Sequence, residues 1–548
     1  MKKLSLVLSL VLFVVGLTLA QRTVTGNIVD EEGTALIGAS ILVKGTTSGS
    51  VTDIDGNYTL SVPEGSTTLV VSYTGFETQE IEIGAQTEIN ITLSEGIALS
   101  EVVVTALGVE RDEKALGYAV QQVEGDLISR SGASNAVDAL VGKAAGIQVT
   151  RSSGSVGGGS RILIRGVSSM VGNNEPLIVI DGVRTNNQSL NAQSTTAGTA
   201  TSNRLMDLNP EDIESINVLK GASATALYGT AGSTGVVLIT TKKGANKNRV
   251  DVNFSSSVGF DQITQMIDLQ SIYSQGRNGA HRDPATGESG SWGPRISDLE
   301  YATDPNHPNA PRASAFDDKG VYKFDKNGFL VPKGTGNGIP ANTYNNVDPF
   351  FQTGATYTNS LSISGGSETA TFRLSASDLR ATGVVPNEEY KRKTVKLASS
   401  LTPIDNLTIS GSVNFTKSDY VRVQQGSNTS GLLLGMLRTP ASFDNANGFS
   451  ASDAVNEVSS YQFPDFAQRN YRGGGGYDNP YWVINNALGF EDVSRTFGNV
   501  RADYQIDPWL TIGLNVGYDV TSDIRKQEFE INSRTNTAGR IRHDDYST

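Results

Sequence analysis

The 548-residue chain contains no cysteine, which excludes a disulfide-stapled fold and a lipid anchor attached through a thiol. Its three histidines, His281, His307 and His543, lie far apart in polar surroundings. Metal or triad chemistry needs convergent groups, so no catalytic residue, metal ligand or cofactor is assigned. Charged residues make up only 18% of the chain and the net charge is −13. Nucleic acid, which requires a basic patch, is therefore excluded as a partner. Long hydrophobic runs are absent after residue 20. A membrane location thus requires a β-barrel, the other structure that satisfies its backbone in lipid.

Glycine is abundant, with 59 residues, which suits many turns and strands. The first twenty residues, MKKLSLVLSLVLFVVGLTLA, combine Lys2 and Lys3, an apolar stretch and a small-residue ending. That pattern is a secretory signal peptide (1–20), preferred over an anchoring helix because the apolar run is short of the roughly 20 residues a span needs. The length argues for about three or four folded units.

Residues 21–97 contain short β-branched runs, VTGNIVD, ASILVKGTT, GNYTLSVP, TTLVVSYTGF, TQEIEIG and EINITLS, separated by turns such as DEEG and DIDG. This is the pattern of a small antiparallel β-sandwich. Asp53-Ile54-Asp55-Gly56-Asn57 starts like a calcium loop but lacks the later ligands and closing Glu, so a hairpin turn is preferred. The series VTGNIVDEEGTALIGASILVKGTTSGSVTDIDGNYTLSVPEG with VSYTGFETQEI resembles the carboxypeptidase-regulatory-like domain that fronts many Bacteroidetes outer-membrane proteins. The resemblance implies a binding or spacing module and no peptidase activity.

Residues 113–247 differ in kind. AVDALVGKAAGIQV has helical apolar spacing at Val137, Leu140, Val141 and Ala144, with Gly146 as its C-cap. Strands RILIRGV and PLIVIDGV follow, then the helix-and-strand series LNPEDIESINVLKGASATALYGTAGSTGVVLITTKKG. The cluster Gly154–Gly159 ends Gly-Ser-Arg and runs into a strand, so it reads as a close-packed turn and not a phosphate loop. Together with SEVVVTALGVERDEKALGYAVQQVEGDLI, these motifs resemble the plug of the SusC/RagA family of TonB-dependent outer-membrane transporters. One departure is Tyr228-Gly229-Thr230-Ala231-Gly232-Ser233-Thr234-Gly235, which lacks the basic residue frequent there, so no ion pair is assigned.

From residue 248 the texture becomes period-two. Val252, Phe254, Val258 and Phe260 alternate, as do Leu361 and Ile363, Phe372 and Leu374, then Leu407, Ile409, Val413 and Phe415, and Leu510 to Tyr518. LTPIDN and QIDPW are short turns, whereas 264–354 and 421–489 are long and polar. Apolar-out, polar-in strands with short turns at one end and long loops at the other describe a membrane barrel; the alternative is a soluble sandwich, which seldom needs such loops. About seven or eight strands are countable by period, against about 22 in plugged transporters. The expectation is a truncated barrel (248–548) that would not insert alone. The polar RIRHDDYST at its end is not expected to form an amphipathic strand. The fold class expected is thus mainly β: a front sandwich, an α/β plug, then part of an antiparallel barrel.

Between sandwich and plug, residues 98–112 hold SEVVVTALG and the charged VERDEK. An extended β-branched segment can pair edge-to-edge with another protein's sheet, with the charges discouraging self-pairing; the alternative is a last strand of the sandwich. The resemblance makes Glu101, Val102, Val103, Val104, Thr105, Ala106, Leu107 and Gly108 the TonB box. Arg161, Arg165 and Asp181 are candidates for positioning the plug against the wall. The function implied is TonB-dependent import, powered by TonB and its inner-membrane complex, through a barrel in outer-membrane lipid with the front domain in the periplasm. A SusD-like surface lipoprotein and an oligosaccharide or peptide ligand are the implied partners. The alternatives are a receptor that binds or signals without transport, and an exported hydrolase, for which no defensible site appears.

Overall fold

The computed structural model describes residues 21–548 except 31–32, 45, 47, 64–67, 74–75, 77, 85, 95–101, 105–109, 113–119, 152–153, 171–173, 188–197, 221–227, 245–248, 303–329, 337, 426–430, 464–465, 473–476 and 535–536. The signal peptide and most of the TonB-box candidates, Glu101 and Thr105 to Gly108, lie outside the described residues. The chain forms two units, one of residues up to Val103 and one from Gly117 on, with the stretch between divided among them.

The first unit is a sandwich of two layers, antiparallel except where β1 and β7 pair in parallel. β1 (Gln21–Val29), β4 (Asn57–Pro63) and β7 (Ile91–Thr92) form one sheet in the order β4-β1-β7. β2 (Ser40–Val43), β3 (Gly49–Val51), β5 (Thr68–Ser72) and β6 (Gln79–Glu82) form the other, ordered β3-β2-β5-β6. Alternation along each strand turns Val24, Ile28, Ile41, Leu60, Leu69 and Val71 inward to one core. The Asp53 carboxylate accepts the backbone N–H groups of Asp55 and Asn57 at 3.0 and 2.8 Å. DIDGN is thus a tight turn held by the Asp53 side chain; it leads from β3 in one sheet to β4 in the other, so it is not the expected hairpin turn.

Val102–Val104 (β8) pairs with Glu110–Asp112 (β9) in a two-stranded sheet. The charges of VERDEK therefore do not prevent pairing within the chain. A ladder is made by backbone groups, and β-branched residues hold the extended state whatever faces them.

In the second unit, β10 (Val120–Glu124), β13 (Leu177–Ile180), β14 (Val183–Thr185), β15 (Ile213–Leu219) and β16 (Val236–Thr241) form a mixed sheet ordered β10-β15-β16-β13-β14. Only β13 and β16 run parallel. β11 (Ile147–Arg151) and β12 (Ser160–Ile164) make a separate hairpin. The two central strands are nearly continuous in burial, as an apolar run between two packed faces should be. The helix expected around residues 136–146 is absent. Asp138–Leu140 is a single 3-10 turn, and Gly142 and Gly146 both take positive φ, 74° and 70°. A left-handed residue at 142 ends the helical path after one turn. The spacing still marked the core at Val137, Leu140 and Ala144, while Val141 is exposed.

The wall is an eight-stranded antiparallel sheet. Its strands are β17 (Val250–Asp261), β22 (Gly354–Gly366), β23 (Ala370–Thr382), β24 (Glu389–Ile404), β25 (Leu407–Val423), β26 (Leu488–Asp507), β27 (Leu510–Phe529) and β28 (Arg540–Ser547). Short loop strands intervene at β18 (Gly276–Arg277), β19 (Ala280–His281), β20 (Leu299–Tyr301) and β21 (Leu330–Pro332). Strands up to 20 residues long, each paired with its sequence neighbour, give half of a barrel. One face exposes Phe254, Leu361, Leu374, Val413, Phe415 and Leu514; the other buries Ser375, Arg392, Thr394, Asn414, Thr416 and Arg495. Phe372 and Leu374 share the face of Leu361 and Ile363, because Ile363 stands opposite Leu374. The polar stretch RIRHDDYS pairs with β27 as β28; ladder formation needs only its backbone. No helix of the described residues is long and apolar enough to cross a membrane.

Candidate functional site

The α/β region meets the polar face of the wall through three segments, each built by local sequence. The first is the turn of the β13–β14 hairpin. Asp181 and Gly182 both take positive φ, 48° and 82°, which is the two-residue turn that Asp-Gly encodes. The Asp181 carboxylate accepts Thr241 N–H at 2.9 Å and its hydroxyl at 2.6 Å, tying the hairpin to β16. The Asp181 carbonyl accepts from the side-chain amides of Asn515 and Asn499 on the wall, at 3.2 and 3.4 Å. Beside it Val183 covers Gly517, where a Cβ would come within 2.1 Å of the valine. Arg161 and Arg165 differ: both side chains are exposed, and Arg165 is a left-handed turn residue (φ 58°) whose N–H donates to the Gly146 carbonyl.

The second segment is the glycine loop. Gly157 takes φ 65°, and its missing Cβ would lie 2.6 to 2.8 Å from the rings of Tyr420 and Tyr390. Those rings stack at 4.6 Å and 11°. Arg422 donates to the Gly157 carbonyl at 3.0 Å, and Ser155 donates to Glu388 at 2.6 Å. The glycines thus allow close backbone approach to the wall, as a phosphate loop would allow approach to an anion.

The third is the stretch 202–208, SNRLMDL, which sequence reasoning missed. Asn203 precedes a 3-10 turn, Arg204–Asp207, whose two charged side chains are buried. Arg204 lies 3.5 Å from Asp207, 3.7 Å from Asp523 and 3.9 Å from Glu491. Arg495 reaches Asp207 at 3.6 Å and holds Asp519 at 2.7 Å; Glu491 also pairs with Arg422 at 3.0 Å and Arg525 at 3.2 Å. Wall side chains collect the turn's carbonyls as well. Arg392 donates to Met206 and Leu208, Arg495 to Arg204, and Thr416 to Asp207, all between 2.6 and 3.0 Å. Burial pushes the Asp207 carboxyl up, against the opposing pull of Arg204 and Arg495. Apolar contact adds to this: Phe497 of the wall enters the α/β core, and Met206 and Val156 pack with Leu379, Ala381, Tyr390, Tyr420 and Val493 of the wall. A signal was present: an Arg and an Asp three residues apart flanked by Leu-Met, ahead of LNPEDI. Nothing in the sequence tells such charges from solvated ones.

The long loops, expected to be only polar, carry a core of their own. Trp482, Met436, Ile484 and Phe350 pack there, and the Trp482 ring N–H donates to Ser533 at 3.0 Å. Between residues 262–271 and 343–353, with Thr439 and Ala441, lies a groove of about 820 Å³ lined by polar groups such as Gln262, Gln270, Asn345 and Asp348.

Comparison with known proteins agrees with this division. Residues 24–104 match the CarboxypepD_reg-like domain, and residues 112–236 match the TonB-dependent receptor plug domain. The TonB-dependent receptor SusC of Bacteroides thetaiotaomicron is 41% identical over 252 residues, 46% of this chain and 24% of that protein. Over its front and α/β regions the chain is similar to TonB-dependent receptors of the SusC/RagA type. A TonB-dependent receptor of Formosa agariphila is 28% identical over 532 residues, 94% of this chain and 44% of the relative. The fold is shared with a RagAB peptide importer solved in an open-open state, at TM-score 0.59 and 21% identity, over 82% of this chain and 45% of that one. The chain spans less than half the length of these relatives. Its α/β region is accordingly a plug, and its wall has the fold of barrel strands.

Proposed function

We propose that the protein imports a nutrient across the outer membrane by TonB-dependent displacement of its plug. The observation that carries this reading is how the plug is held. Its own sheet has an apolar core, whereas its attachment to the wall combines many hydrogen bonds and ion pairs with one small apolar cluster around Met206 and Val156. Polar contacts exchange readily with water, so a plug so held can leave or shift and return without losing its sheet. Residues 101–108 precede β10 in sequence and supply the segment that TonB would pair with by strand addition. Arg161, Arg165 and Asp181 remain the proposed positioning residues, Asp181 through its carbonyl. The wall spans outer-membrane lipid, the front domain and residues 101–108 lie in the periplasm, and the long loops face outward. An oligosaccharide or peptide would bind the loops, covered by a SusD-like lipoprotein.

The test is uptake of labelled substrate by cells carrying the complete protein with and without residues 101–108. The deletion should leave export and insertion unchanged and abolish uptake. Equal capture of the periplasmic part of TonB by wild type and deletion would overturn the assignment. Ligand binding with no uptake in either would favour a receptor that does not transport.

A further inference from the structure

The plug meets the wall at two levels. The Asp181 turn and the 204–207 turn contact the strands partway along their length, at Thr416, Arg495, Asn499 and Asn515. A second set of contacts lies at the loop end of the strands and is built of hydrogen bonds and close packing. Gly198 forms an antiparallel bridge with Gln425. The Gln425 N–H donates to the Gly198 carbonyl at 2.6 Å, and the Gly198 N–H donates to the Gln424 side-chain carbonyl at 3.1 Å. The Gln425 side-chain amide donates to the Ser155 hydroxyl, which donates in turn to Glu388 at 2.6 Å. Thr199 packs on Gly489, where a Cβ would come within 2.7 Å of the threonine methyl.

The wall residues that make this collar share one property: each follows directly on a residue fixed to the loop core. Val423, before Gln424, is buried in that core with Met436 and Trp482. Leu488, before Gly489, packs against the core, and Ala487 is buried in it. Asn387, before Glu388, donates through its side chain to the Ile484 carbonyl at 3.0 Å. Ile484 lies in the helix Pro480–Asn486, which also carries Trp482. A peptide unit is planar and spans about 3.8 Å, so neighbouring residues cannot absorb a shift of the core between them. One such adjacency would be ordinary packing. Here three of them bear on the same two stretches of the plug, Ser155 and Gly198-Thr199.

We infer that Glu388, Gln424, Gln425 and Gly489 are positioning residues through which the loop core holds the plug closed, and that displacement of the core loosens Ser155, Gly198 and Thr199 first. This rests on the reading of the plug as a part that opens. Collar hydrogen bonds exchange readily for bonds to water, whereas the charges of 204–207 are buried and paired. The two levels therefore part in order. A ligand that favours a displaced arrangement of the core releases the collar, and it need not touch the plug to do so. The Asp181 and 204–207 contacts remain for the pull from residues 101–108. A core at rest keeps both levels closed, so a pull without ligand meets the full attachment.

The test is amide hydrogen exchange on the complete protein in detergent, without substrate or TonB. Met436 is fully buried in a core that contains no plug residue, so M436A perturbs the loops alone. It should raise exchange at 155–159 and 198–202 by about fivefold or more, the lower range of coupling between sites. Exchange in β15 and β16 should stay at wild-type rates, and M436L should restore the collar. In an S155A/G489A background, where the collar is already parted, M436A should add nothing further at these amides. If M436A does not fold, S533A takes its place, since it removes only the partner of the Trp482 ring N–H. Faster exchange at 432–438 and 480–486 with 155–159 and 198–202 unchanged would overturn the proposal. So would an equal rise across β15 and β16, which would mean general loss of stability. Additive effects of M436A and S155A/G489A would overturn it too, because coupled residues do not add. Uptake is measured separately. Coupling in a protein that takes up nothing would remove the import reading and leave the positioning role; uptake without coupling would do the reverse.

Discussion

At position 157 two independent requirements select glycine: a left-handed φ of 65° and aromatic rings where a Cβ would stand. Gly157→Ala should therefore weaken plug docking by about 2–4 kcal/mol, from backbone strain and overpacking together. Protease protection of the plug, and pore conductance in planar bilayers, would report it; unchanged protection would remove the close-approach argument. The buried charges make a sharper case. Arg204→Met leaves Asp207, Glu491 and Asp523 short of a counter-charge, and breaking a buried ion pair costs about 3–5 kcal/mol. The variant should show a leaking pore with its wall still heat-modifiable. A tight pore would mean that Arg392 and Arg495 alone hold the turn. Legibility at this scale followed backbone chemistry. Asp181 was readable because Asp-Gly dictates its turn, and the turn lands on the wall. Arg204 was not, because its partners come from strands nearly 300 and more residues later.

Among elements, β8 is the one whose pairing is most exposed to replacement. A two-stranded ladder is marginal in water, so Val102–Val104 can exchange its partner in β9 for a strand of another protein. Val103→Pro removes a ladder donor and should reduce uptake to the level of the 101–108 deletion, measured with labelled substrate. Normal uptake would place the pairing elsewhere. The loop hairpin β18–β19 carries a pH dependence. Burial lowers the His281 pKa to about 4, against a hydrogen bond to the Gln275 backbone carbonyl that raises it. The unfolded loop binds a proton near the ordinary value of about 6.5, so it holds more protons than the folded loop between those values. Stability contributed by neutral His281 is then full above about 6.5 and lost as pH falls toward 4, by up to about 2 kcal/mol for a half-buried ring. Fluorescence of the neighbouring Trp292, followed from pH 7 to 4, should show loosening that His281→Phe abolishes; an identical titration in the variant would assign it to other groups. Period-two strands were legible throughout the wall because each face sees one solvent. The loop core was not: Gln275 bonds Tyr471, and Trp482 bonds Ser533, and no local period encodes contacts over such separations.

In the molecule as a whole, the order of the plug's strands sets what a pull from residues 101–108 meets first. β10 follows that segment and, among the described residues, is an edge strand paired with β15 alone. The strands behind it, β15, β16, β13 and β14, pair among themselves and keep the Asp181 turn on the wall. Peeling β10 therefore breaks one ladder, whereas moving the rest requires the buried charges of 204–207 and the Asp181 contacts to part as well. The first step of opening should be loss of β10 with the short helix Gly125–Ser129 behind it. A covalent tie across this ladder tests it, and a chain without native cysteine gives a clean background. Gln122 stands opposite Asn217, close enough for a disulfide in an antiparallel pair. Q122C/N217C should stop uptake when oxidised and recover it when reduced, with ligand binding unchanged. The control tie, V179C/R184C across the β13–β14 hairpin, should leave uptake intact in both states, because that hairpin need not open. Uptake through the oxidised Q122C/N217C protein would show that the plug moves as one body, and the edge-first order would be wrong.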